Sequence, residues 1–220
     1  MKRRELFALG AAAAVLPACK ARAVAAASAG FHFDADRFAS ILATPARHRQ
    51  CCASTKPASV LLDTMVATMY AYEYDLNEGA GTVHEVAVLY HPAAVTMALD
   101  DVAWNALLLP ALPRLSSYYH TALDGLSTHG NPFFHAHHGI AVEDDASIEA
   151  LVSRGCHFFA CNNALYGLAD SLGTALGQNG DRIHEKLLDS LVPGAMAVPS
   201  GVMAINACQE AHFTYLQVAL

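Results

Sequence analysis

The sequence predicts a three-layer α/β/α sandwich on a mainly parallel central sheet of about five strands. Three observations predict it. Short apolar runs with β-branched or aromatic residues, such as Val83 to Tyr90 and Cys156 to Ala160, have the length and bounds of buried strands. Segments of helical period separate them, so strand and helix alternate along the chain. With 220 residues, 54% of them hydrophobic and only 15% charged, the chain has the material for one sizeable core. No internal repeat, low-complexity tract or second domain interrupts it.

The elements follow in order. Phe31 to Pro45 is a mixed lead-in, and residues 48–53 form a short first strand stopped by the polar turn Ser54-Thr55-Lys56-Pro57. Apolar residues at Val60, Leu61, Met65, Met69, Tyr72 and Leu76 keep near-helical spacing and predict a helix over Ser59 to Asn77, with Gly79 soon after its end. Val83 to Tyr90 is a strand stopped at His91-Pro92. Asp100-Asp101 opens a helix through Trp104 and Leu109, disturbed by Pro110 and Pro113, and Leu115 to Leu126 continues helical. Ser127 to Val142 is a long loop holding four histidines. Ser147 to Arg154 reads as a short capped helix feeding the central strand, which ends in Cys161. Asn162-Asn163 lead into the helix ALYGLADSL, Gln178 to Asp181 is a turn, and Ile183 to Leu191 is a helix. Ala195 to Val198 is a strand, Pro199-Ser200-Gly201 a turn, Val202 to Ala211 a helix and Phe213 to Val218 the last strand.

Residues 1–29 stand apart from this pattern. Lys2-Arg3-Arg4, an alanine-rich stretch from Ala8 to Ala18 and small residues ending at Ala27-Ser28-Ala29 read as a twin-arginine export signal cleaved after Ala29. Leu16-Pro17-Ala18-Cys19 is the rival, a lipoprotein-type site that would anchor the chain through Cys19. The expected location is the periplasm, with residues 30–220 as one domain. The leader holds five of the 13 basic residues and one of the 20 acidic ones, which leaves 8 against 19 and a formal net charge of −11. So acidic a domain argues against nucleic acid, and against a membrane surface unless Cys19 is lipidated. Five cysteines remain, Cys51, Cys52, Cys156, Cys161 and Cys208, and an odd number leaves at least one thiol outside any internal pairing.

In an open parallel sheet, ligands bind beyond the carboxyl ends of the strands. That places Tyr90 and His91, Cys161 with Asn162 and Asn163, and Ser200 with Gly201 as candidate site residues. Cys161 stands between a strand and a helix start, where unpaired amides and the helix dipole lower a thiol pKa and favour the thiolate. The bland alternative is a buried, inert thiol. Helix starts at Asn163 and Gly201 are expected to favour a small anion in the same crevice. No P-loop, GxGxxG, GxSxG or CxxC is present, which removes the leading signals for nucleotide, hydrolase and thioredoxin chemistry. His135, His137 and His138 are a metal alternative, but their spacing matches no standard ligand set.

Three stretches, VHEVAVLYHPAAV, GCHFFACNNAL and LVPGAMAVPSGVMAINACQEAHFTYLQ, resemble the DsrE/DsrF-like superfamily over roughly residues 45–218, in its branch of exported single-domain proteins. The resemblance implies an α/β/α domain that forms homo-oligomers and handles sulfane sulfur on a cysteine placed as Cys161 is. The implied reading is a persulfide carrier or sulfurtransferase-like protein without a cofactor, whose partners are small sulfur species or a sulfur-transfer protein. Sulfur-relay members work mostly in the cytoplasm, and Asn162-Asn163 fits the exported branch instead. Two other classes stay open: a non-catalytic binding module for a small anion or partner protein, and a metal-binding protein using the histidine loop.

Overall fold

The computed structural model describes residues 31–135 and 145–219. The leader with Cys19 and Ala29, and His137 and His138 of the histidine loop, lie outside the described residues. Five strands, β1 (His48–Ser54), β2 (Val83–Leu89), β3 (His157–Cys161), β4 (Ala195–Val198) and β5 (Thr214–Ala219), form one sheet in the order β4-β3-β2-β1-β5. Every pairing in it is parallel, so the expected mainly parallel sheet is wholly so.

Strand alternation sorts the sheet residues onto two faces. Cys52, Ala87, Leu89, Phe158 and Ala160 face the larger core. There they meet α2 (Ser59–Tyr70), α5 (Ser117–Leu123), α6 (Ile148–Ser153), α7 (Asn162–Leu176) and α8 (Gly180–Asp189). Cys51, Ala53, Val86, Val88, Phe159 and Val198 face the smaller core, against α1 (Ala35–Leu42) and α9 (Gly201–Glu210). Both faces of β2 are buried along its whole length, which suits its apolar residues and encloses His84 and Glu85 with them.

Connectivity explains the unequal layers. From β1 to β4 the chain steps one strand at a time in one direction, and its connecting helices pack on the larger-core face. From β4 it must travel back past three strands to reach the far side of β1. A right-handed crossover in the reverse direction puts its helix, α9, on the opposite face.

Several elements differ from expectation. The lead-in contains α1, capped by Asp34, whose carboxylate accepts from the Arg37 amide at 2.9 Å. The expected helix over Ser59 to Asn77 is α-helical only to Tyr70 and continues as a π-helical turn, Ala71–Asp75. The Asp100 to Leu109 helix is likewise broken into α3 (Asp101–Ala103), a π turn at Trp104–Leu108 and α4 (Leu109–Ala111), with Pro110 and Pro113 unable to donate backbone hydrogen bonds. The turn at Gln178 to Asp181 is already a helix start: Asn179 caps α8 through its side chain, 3.0 Å from the Arg182 amide. No helix among the described residues is long and apolar enough to cross a membrane.

Candidate functional site at the carboxyl end of the sheet

The switch in direction falls between two neighbouring strands. After β3 the chain enters α7 on one face; after β4 it enters α9 on the other. Cys161 and Val198 are paired across these strands, so Cys161 lies at the switch point, where open α/β sheets place their ligand crevice. Cys161 is itself the N-cap of α7, which begins at Asn162, one residue earlier than expected. Ser200 is the N-cap of α9. Neither side chain caps its helix, so the first-turn amides keep their capacity for an external acceptor.

The other predicted residues are only partly brought together. Tyr90 lies against Gly201 so closely that a Cβ on that glycine would stand 2.1 Å from the tyrosine Cβ, and the Tyr90 hydroxyl donates to Gln217 Oε1 at 3.0 Å. His91 is hydrogen-bonded through Nδ1 to the Tyr118 hydroxyl, and burial lowers its pKa. Asn162 is buried and turned to α8, its Oδ1 2.8 Å from His184 Nε2, while His184 stacks on Tyr166 at 3.6 Å. Asn163 is exposed on the first turn of α7. Cys161 is 5% exposed, so a reactant must reach it by a narrow approach.

The remaining described cysteines are core thiols. Burial pushes Cys52 up to about 12 and raises Cys156 as well, while a hydrogen bond with the Cys208 thiol, and then burial, raises Cys51. Cys51, Cys52 and Cys156 are thereby held in the thiol form. Cys156 precedes β3 rather than lying within it. At the histidine loop, His135 is paired through Nδ1 with Glu149 at 2.8 Å, and no group of three or more potential metal ligands occurs among the described residues.

Sequence reasoning missed residues that matter here. A cavity of about 300 Å³ at the same end of the molecule is lined by Lys56, Ser117, Tyr118, Thr121 and Ala122. Tyr118 joins it to His91. Lys56 follows the first strand, and the strand-end rule applied to β1 as to the others would have found it; Tyr118 carries no such signal.

Fold and geometry together define an α/β sandwich protein with a cysteine at the switch point of a parallel sheet. No family model matches the chain, and no curated protein matches it. A solved structure described as a protein of unknown function, MTH1491 from Methanobacterium thermoautotrophicum, is similar to it at 16% identity, with a TM-score of 0.36, over 77% of this chain and 98% of that one. A likeness at that level decides neither family nor activity.

Proposed function

We propose that the chain is a DsrE/DsrF-like protein of the exported branch that handles reduced sulfur on Cys161 in the periplasm. The observation that supports this most is the position of Cys161, at the end of β3, at the start of α7 and at the switch point of the sheet. In the proposed step the Cys161 thiol loses its proton to solvent and the thiolate attacks the outer sulfur of a donor persulfide or polysulfide. The donor S–S bond breaks, its inner sulfur leaves as a thiolate, and Cys161 holds the transferred sulfur as a persulfide. An acceptor thiolate reverses the sequence, so no external oxidant or cofactor is needed. Open amides at the starts of α7 and α9 would favour the anionic persulfide.

Mass spectrometry after polysulfide exposure tests the reading. The expected result is a single added sulfur on Cys161, absent from Cys161→Ser, and faster alkylation of Cys161 than of Cys156 or Cys208. Equal labelling of all three, or equal sulfur uptake by Cys161→Ser, sinks it. A non-catalytic anion-binding module is the second reading, favoured by the Lys56 cavity beside the His91–Tyr118 pair. Anion binding that survives Cys161→Ser but fails in Lys56→Ala would select it.

Self-association belongs to the same proposal. β5 is an edge strand with Tyr215 and Leu216 exposed, and Val60 of α2 and Val202 of α9 stand exposed on the helices that contact it. Such an apolar edge suits a second copy of the chain.

A further inference from the structure

The opposite, amino end of the sheet carries a second cavity, of about 560 Å³, which falls within the range of about 300–1,000 Å³ typical of small-molecule sites. Its described lining includes Tyr70, Glu73, Tyr74, Asp145, Ser153 and Arg154. Tyr70 and Tyr74 stand 5.2 Å apart at 59°, presenting two ring faces with two carboxylates beside them. We propose that this cavity binds a small organic cation, a guanidinium or primary ammonium group.

Three connected observations carry the proposal. The first is that the cavity already holds a cation of its own: Arg154 lies 5.0 Å over the Tyr70 ring and donates to Glu73 at 2.8 Å. Arg154 is the single basic residue among the described lining residues, and Asp145, bonded by the Tyr70 hydroxyl, is a second carboxylate at the cavity. The second is the π-helical turn Ala71–Asp75, which ends α2 at the cavity wall. It draws Glu73 inward, to 6% side-chain exposure, and leaves Tyr74 71% exposed at the rim. Such turns interrupt regular helices frequently at functional sites.

The third is Glu85. It is fully buried on the larger-core face of β2, neither carboxyl oxygen has a hydrogen-bond partner, and it lies within electrostatic reach of Arg154. Among the described residues, Arg154 thus acts on a buried acceptor that has no hydrogen-bond partner. A cation entering beside Tyr74 and Asp145 would compete with Arg154 for Glu73.

Titration of the full chain with methylguanidinium chloride and n-propylammonium chloride, followed by calorimetry and tyrosine fluorescence at fixed ionic strength, tests this. One saturable site per chain is expected, with affinity lowered about tenfold in Tyr74→Ala and in Asp145→Asn. Tyr74 is exposed, so its removal should leave the thermal midpoint unchanged while weakening binding. Non-saturating heats, unchanged affinity in the Tyr74→Ala/Asp145→Asn double variant, or binding of acetate in place of the cations overturns the proposal.

Discussion

Glu85 occupies a strand interior where an aliphatic residue would be ordinary, and burial pushes its carboxyl up to about 9. The consequence for stability follows from linkage. Below about pH 4.5, the ordinary value, folded and unfolded chains both hold the proton. Between there and about pH 9 only the unfolded chain ionises, so stability falls as pH rises, by at most about 1.4 kcal/mol per pH unit. Glu85→Gln should therefore be more stable than the parent at pH 8 and should flatten this slope; urea denaturation at pH 5, 6.5 and 8 measures both. Equal slopes would show that Glu85 ionises freely. His84 and His157 act in the other direction. Burial lowers both, so the stability they confer is present above about pH 6.5 and is lost as pH falls and the unfolded chain takes up their protons. Cys161 shows how far a single residue can be read from sequence. Its place between strand and helix was legible, because an apolar run followed by helical spacing is a local signal. Its 5% exposure was not, because that depends on elements far away in the chain.

Among the elements, the helix starts divide into those fixed by side chains and those left open. Asn179 holds the start of α8, and Asn179→Ala should cost about 1 kcal/mol, read as a lowered denaturation midpoint with an unchanged m-value. α9 has no such cap, and its start is fixed by contact instead. Gly201→Ala would drive a methyl into Tyr90, at a cost of about 1–3 kcal/mol, and should disturb the Tyr90 to Gln217 bond that ties β2 to β5. Retention of parental stability in Gly201→Ala would mean that Tyr90 moves freely. The element types and most of their limits were legible because period and turn chemistry are local. The two π turns were not: Ala71 to Asp75 keeps helical spacing, and only the packing around Glu73 and Arg154 distinguishes the wider turn.

For the molecule as a whole, the edge at β5 makes the proposed assembly measurable. Light scattering at micromolar concentration should give a mass above that of one chain, and Val202→Glu combined with Leu216→Lys should return it to a monomer with its fold intact by circular dichroism. A monomeric parent protein would remove the assembly from the proposal. That same strand also sets a schedule for synthesis. β1 is completed early, yet among the described residues its outer hydrogen-bonding edge is occupied by β5, well over 100 residues further along. A ribosome-bound chain stopped at Phe213 must present β1 as a raw edge, open to neighbouring chains, until β5 emerges. Folding is therefore expected to be slow, as its non-local parallel pairings require. A chain truncated before Thr214 should aggregate where the full chain stays dispersed.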